Sequence, residues 1–327
     1  MLNMAIVGIG RWGQLLVTSV QGISPNLRYI VGLTRTKSKA VKFCSEQGIQ
    51  LCDDYDELLN NKEIDAIVLA TPHTQHEEQI VRAAEAGKHV FTEKPLTLNK
   101  KSAERVVQAC RKANVKLALG HNRRFMKNTE ALKQMIETDK LGTLLHIDGN
   151  QSSDLGAAAG AWRDARKESP AGGMTSLGIH ALDCMIHLGG KIAKVDAHSD
   201  RRAIGFDIDD TTAVLVRFQR GMTGTLVTLA STARLWHIRV IGSKGWAEMR
   251  DNKRLTVCKN NEEPKDLVFS GEHYPHADSV ASELNEFALS VIGNATYRIS
   301  TEEMIHGISV LEGIIKSAKQ GVRVTVL

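Results

Sequence analysis

The sequence lacks any apolar run near the ~18 residues a membrane-spanning helix needs, and it lacks a basic, then apolar, then small-residue leader: Met1 passes directly into a strand-like pattern. It also lacks paired cysteines. Cys44, Cys52, Cys110, Cys184 and Cys258 are odd in number and scattered, with no C-x-x-C and no histidine at zinc-finger spacing. A disulfide scaffold and a zinc module are thereby excluded, and a reducing, cytoplasmic location is expected. An excess of one charge is missing too. Lys and Arg number 42 against 37 Asp and Glu, a formal net charge of +5, too small for a nucleic-acid footprint. The densest basic patch, Arg123-Arg124-Phe125-Met126-Lys127, is too short for a phosphate-tracking stripe and reads as solvated or substrate-facing. With 42% hydrophobic and 24% charged residues over 327 positions, the chain is expected to fold throughout, as two domains.

The first part alternates short β-branched runs with amphipathic helical runs, the rhythm of a parallel sheet wound with helices. Expected strands are Met4–Val7, Tyr29–Leu33, Ala66–Ala70, His89–Thr92 and Lys116–Leu119. Thr74-Gln75-His76-Glu77 reads as a capping box for a helix through Glu85, with Gly87 as its stop. After about Gly120 the rhythm changes. A helix over Thr129–Thr138 precedes expected strands Val195–His198, Thr211–Phe218, Met222–Leu229, Ile238–Ile241 and Trp246–Met249. Their connections include Arg220-Gly221 and Gly242-Ser243-Lys244-Gly245, short enough to demand antiparallel pairing. Helices Ser279–Ile292 and Thr301–Ser317, the latter capped by Ser300 to Glu303, and a strand Val322–Val326 close the chain. The expected fold is an α/β Rossmann domain, residues 1–120, followed by an α+β domain with a large, open, mainly antiparallel sheet, residues 121–327.

Strand Met4–Val7 runs into Gly8-Ile9-Gly10-Arg11-Trp12-Gly13, and a helix begins at Gln14. The first glycine permits the tight turn, the second lets the backbone approach a pyrophosphate, and the third lets helix pack on strand; the helix N-terminus supplies N–H groups and positive potential. The turn therefore predicts a dinucleotide site. At the end of the second strand, where an acid usually bonds the adenine ribose, stands Leu33-Thr34-Arg35-Thr36. Thr34 repels no 2′-phosphate, and Arg35 can bond one bidentately, aided by Lys37 and Lys39. NADP(H) is expected in preference to NAD(H).

Further along, Thr71-Pro72-His73-Thr74-Gln75-His76 and Ala86-Gly87-Lys88-His89-Val90-Phe91-Thr92-Glu93-Lys94-Pro95-Leu96 resemble the Gfo/Idh/MocA family, named for glucose–fructose oxidoreductase, inositol dehydrogenase and rhizopine catabolism. The resemblance continues through Gly120-His121-Asn122-Arg123-Arg124-Phe125, Ala171 to Asp183, and Asp207 to Thr212. It implies a Rossmann domain with an open C-terminal sheet used in a homodimer or homotetramer, and hydride transfer between a nicotinamide and the hydroxyl or carbonyl carbon of a sugar, cyclitol or polyol. It also implies a cofactor lined by Thr71, Pro72, His76, Glu93 and Lys94, a cis bond at Lys94-Pro95, and Lys94 and His180 facing the reacting carbon.

The chemistry agrees. Removing hydride from a carbinol carbon requires a base for the hydroxyl proton. Histidine, near pKa ~6.5, suits that at neutral pH, whereas a lysine near ~10.4 would have to fall about three units, roughly 4 kcal/mol. His180 is thus expected as acid/base and a charged Lys94 as stabiliser of the oxygen. One departure stands out: four residues before the histidine, where relatives often carry aspartate, this chain has Ser176, which offers a hydrogen bond but no charge. Asp183, about one helical turn after His180, is the expected substitute or else a structural ion pair. Asn122, Arg123 and Arg163, with Ser176 and His180, are candidate substrate contacts. His73 and His76 lack a third ligand, so no metal is expected. Met174, Met185 and the tryptophans are expected in core or pocket wall. The partner is a small molecule, neither nucleic acid nor membrane. Two other readings stand: a dehydrogenase of a cyclic diol or aromatic-acid derivative, with Arg163 holding a carboxylate, and a catalytically inactive NAD(P)-binding regulator. The regulator has no need of both Lys94 and His180.

Overall fold

The computed structural model describes residues 1–156, 162–269 and 277–326. In chain order the first elements are β1 (Leu2–Val7), α1 (Arg11–Thr18), β2 (Leu27–Leu33), α2 (Val41–Glu46), β3 (Gln50–Leu51), α3 (Tyr55–Asn60), β4 (Ala66–Leu69), α4 (His76–Glu85), β5 (His89–Glu93), α5 (Lys100–Lys112) and β6 (Leu117–Gly120). Then come α6 (Lys127–Glu137), β7 (Leu144–Ser152), α7 (Ile179–Gly189), β8 (Ile192–Asp200), β9 (Thr211–Phe218), β10 (Thr223–Leu229), β11 (Leu235–Gly242), β12 (Gly245–Met249), β13 (Arg254–Lys259), β14 (Lys265–Val268), α8 (Ala277–Val291), α9 (Thr301–Gln320) and β15 (Val324–Thr325).

These elements form two compact units: Met1–Thr97, Lys101–Asn122 and His273–Ile305 make the first, and Leu98–Lys100, Arg123–Glu272 and His306–Leu327 the second. The division at residue 120 read from sequence therefore needs an amendment, because the chain returns to the first unit at α8. Phe287 of α8 is wholly buried and its ring lies 5.8 Å from that of Phe91 on β5. An apolar helix face carries no mark of which core it joins.

The first unit holds a six-stranded sheet in the order β3-β2-β1-β4-β5-β6, parallel throughout. Its central strands are buried on both faces, so they read as unbroken apolar runs, as Ala66-Ile67-Val68-Leu69 does. Strand order reverses between β1 and β4, and such a switch point opens a crevice at the carboxyl ends of the strands, where β1 delivers the glycine turn.

The second unit holds a nine-stranded sheet, β14-β13-β12-β11-β7-β10-β9-β8-β15, antiparallel except where β7 and β10 run parallel. Alternation along β9 buries Thr212, Val214, Val216 and Phe218 and exposes Ala213, Leu215 and Arg217, the pattern of a sheet covered on one face. The core includes Ile147, Met174, Met185, Leu226 and Ile238, each fully buried.

The capping box at α9 forms: Glu303 N–H donates to Ser300 Oγ (3.2 Å) and Ser300 N–H to Glu303 Oε2 (3.1 Å). The expected box at Thr74 does not close α4. A short 3₁₀ turn, His73–Gln75, intervenes, Gln75 makes no side-chain cap, and the Glu77 carboxylate accepts instead from Ser102 Oγ (2.6 Å) and Arg105 (3.0 Å). Gly87, with φ +73°, ends α4 as expected.

Candidate functional site

In the first unit, β1 is pinned to both neighbours as it enters the turn: Gly8 N–H donates to Leu33 O (2.8 Å) and Ala70 N–H to Val7 O (2.8 Å). Gly8 has φ +95°, and a Cβ there would lie 2.5 Å from Ala70 O. At Gly13 a Cβ would lie 2.0 Å from Gly8 O, so α1 packs directly on the turn. Gly10 differs in kind. A Cβ built on it meets nothing within 4 Å, and it caps α1 with no side-chain bond. No acid occupies the first turn of α1, and its first residue is Arg11. Two glycines thus fix the turn while the third leaves open ground before a helix N-terminus, a cradle that fits a pyrophosphate.

Beyond β2, Thr34 is half-buried and Arg35 exposed, and Lys37 pairs with Asp53. No carboxylate among the described residues bonds Arg35. Beyond β4, Thr71 Oγ1 donates to Gln79 Oε1 (2.6 Å). His76 is fully buried, with Nδ1 2.8 Å from Pro95 O and Nε2 3.2 Å from Thr71 O. One imidazole therefore ties the Thr71-Pro72 loop to the loop after β5. The Lys94–Pro95 bond is cis, as the resemblance implied. Lys94 is half-buried and its N–H donates to Glu93 Oε2 (3.3 Å). Asn122, also in this unit and buried, donates from Nδ2 to Ser279 Oγ (3.0 Å).

In the second unit, the segment before α7 winds as a π-helical turn, Met174–Gly178, closed by Ile179 N–H to Met174 O. Such turns re-aim the side chains after them and recur at functional sites. Ser176 is buried within the turn, and half-buried His180 stands in the first turn of α7. The glycine two positions before the histidine has a packing reason: a Cβ at Gly178 would lie 2.2 Å from Thr228 Oγ1 and 2.4 Å from Met174 Sδ.

The Asp183 carboxylate is engaged in an ion pair. Arg124 grips it bidentately, Nε to Oδ2 at 2.9 Å and Nη2 to Oδ1 at 2.7 Å, and the two side chains are 1% and 9% exposed. Arg124 Nη1 also lies 3.4 Å from His187 Nδ1. The solvated reading of the Arg123-Arg124 patch is thereby corrected: both are buried, because the helical turn Asn122–Phe125 directs them inward. Arg123 lies over Trp236, its guanidinium carbon 3.5 Å from the ring centroid, with Nη1 3.4 Å from Asn252 Oδ1. Burial pulls this guanidinium down to about 10. Arg163 stacks on its neighbour Trp162 at 4.1 Å. Sequence reasoning missed Trp236 and Arg124 as partners of these motif residues, since both contacts join positions far apart in the chain.

The sequence pattern of an oxidoreductase family with an NAD-binding Rossmann fold matches residues 2–121, and that of the GFO/IDH/MocA C-terminal domain matches residues 129–248. Myo-inositol 2-dehydrogenase of Thermotoga maritima is 28% identical over 322 residues, covering 92% of this chain and 92% of that protein. Trans-1,2-dihydrobenzene-1,2-diol dehydrogenase of Sus scrofa is 28% identical over 291 residues, covering 87% of this chain and 83% of its own. Among solved structures, levoglucosan dehydrogenase in complex with NADH and levoglucosan superposes with a TM-score of 0.90 at 19% identity, covering 99% of each chain, which establishes the likeness of fold.

Proposed function

Because this chain belongs to the Gfo/Idh/MocA family of oxidoreductases with an NAD-binding Rossmann fold, we propose that it moves a hydride between a nicotinamide and a CH–OH carbon of a sugar, cyclitol or related cyclic diol. The observation that carries this reading is the cradle at Gly8, Gly10 and Gly13 in a chain that also holds the Glu93-Lys94-Pro95 and Gly178-Ile179-His180 motifs. The amides of the turn would hold the pyrophosphate, Thr34 and Arg35 the adenine ribose, and Thr71, Pro72, His76, Glu93 and Lys94 the remainder of the nucleotide. Arg35, exposed and with no carboxylate bonded to it among the described residues, supports NADP over NAD. When bound, the nicotinamide supplies the hydride acceptor or donor.

His180 takes the hydroxyl proton as hydride leaves, and returns it in the reverse direction. Lys94 stabilises the developing negative charge on the oxygen. Ser176 offers a hydroxyl and no charge, and Asp183 serves as the ion-pair partner of Arg124 rather than as a proton carrier. The diol reading is favoured alongside the sugar reading by the similarity to the dihydrodiol dehydrogenase. A cytoplasmic homodimer or homotetramer associating through the second unit's sheet fits the half-exposed Leu215 and Leu235 on its strands. Lys94→Ala and His180→Ala are expected to lose most turnover, followed by nicotinamide absorbance, while retaining cofactor binding by fluorescence titration. Full turnover in both variants removes the assignment.

A further inference from the structure

Arg123 is 5% exposed, and no carboxylate among the described residues bonds it. A guanidinium carries five N–H donors in a rigid fork, and burying one is costly unless an anion or a full set of acceptors compensates. Here the compensation is thin: one long contact from Nη1 to Asn252 Oδ1, 3.4 Å, and the face of Trp236 at 3.5 Å. The adjacent Arg124 shows the contrast, since it has Asp183 on two of its nitrogens. The charged or chargeable groups that act on Arg123 are the Cys184 thiol and a second cation, Arg234. Arg123 is seated on the aromatic floor of Trp236, and Arg234 stands exposed two residues before that tryptophan, just ahead of β11. The neighbouring Arg124 places them: it grips Asp183, which follows His180 by three residues on α7, about one helical turn.

We propose that Arg123 and Arg234, over Trp236, form an oxyanion site one helical turn from His180, and that the substrate is an acid carrying a carboxylate or phosphate besides the CH–OH group. This rests on the redox reading above for its substrate, though not for the site itself. The guanidinium fork matches two oxygens of one anion, the ring fixes the plane of the fork, and Arg234 adds field where the anion enters.

The test is calorimetric and kinetic, on the NADPH-loaded protein, with three sugars that differ only at C6: glucose, glucuronate and glucose 6-phosphate. An acid member is expected to bind at least about tenfold more tightly than glucose, the scale of one charge-assisted pair, and the two acids tell carboxylate from phosphate. Arg123→Lys keeps the charge and loses the fork, and Arg234→Gln changes an exposed residue. Each should lower the affinity for the acid several-fold more than that for glucose and so erase most of the acid's advantage, with the loss in KM rather than kcat. Glucose binding as well as either acid, variants that weaken acid and neutral sugars equally, or no binding of any acid each overturns the oxyanion site. Turnover of neutral polyols with no preference for acids removes this site and leaves the redox assignment standing. Acid binding without turnover of any compound removes the redox assignment and leaves the site.

Discussion

The carboxylate of Glu93 occupies the space that a side chain at position 120 would need: a Cβ built on Gly120 lies 2.7 Å from Glu93 Oε1 and 3.2 Å from Phe91 Cε1. Gly120 ends β6 beside β5, with Glu93 paired to it in register, and Glu93 precedes Lys94. Gly120→Ala is expected to push the carboxylate aside and disturb the Lys94 loop. Overpacking of this kind costs about 1–3 kcal/mol. Thermal melting should show a modest loss and steady-state assays a larger fall in kcat/KM. A variant unchanged in both measurements contradicts the packing argument.

Asp183 and Arg124 make a buried pair, and removing one partner strands the other. Asp183→Asn is expected to lower the unfolding free energy by about 3–5 kcal/mol, read by denaturant titration. The turnover of the remaining folded protein should stay near the parent value. A variant that is fully stable and inactive would restore Asp183 to the proton path.

Acid should expose the loop before β9. Burial alone raises the Asp210 carboxyl, but N–H donors from Ala203, Ile204 and Arg202 and the Thr211 hydroxyl outweigh it and hold the group below its ordinary value. A depressed carboxyl stabilises the fold above its unfolded pKa of ~3.9 and loses that contribution as pH falls through the lower, folded value. Stability measured from pH ~5 downward should fall more steeply for the parent than for Asp210→Asn. Parallel acid limbs contradict the assignment.

Arg35 is the residue expected to choose the coenzyme. Arg35→Ala should weaken NADP(H) by about tenfold, the scale of a charge-assisted pair, and leave NAD(H) nearly unchanged, measured as the ratio of dissociation constants. An unaltered ratio removes Arg35 from that role.

Legibility in the sequence followed the range of the interactions. The β1, turn and α1 unit was readable because glycine spacing and the helix start are local, and the Ser300 to Glu303 box for the same reason. Antiparallel pairing of β9 with β10 followed from a connection too short for any other. Strand β7 was not anticipated, since Leu144 to Ser152 mixes polar and apolar residues on both parities and gains its place only between β10 and β11. Two-residue β3 offers no period to read. The site was legible as motifs rather than as geometry. Lys94, His180 and the glycines could be named, yet the inward turn of Arg123 and Arg124, the grip on Asp183 and the floor of Trp236 depend on residues 59 to 113 positions apart.

Hydride transfer at a CH–OH carbon can be followed by isotope transfer. The protein is incubated with stereospecifically deuterated NADPH or NADH and a panel of keto-sugars, keto-cyclitols and keto acids, and the alcohols are examined by mass spectrometry. One deuterium is expected in the alcohol from the parent chain and little or none from His180→Ala, although both bind the nucleotide. Tight nucleotide binding by the parent with no deuterium leaving the cofactor for any member of the panel would contradict it.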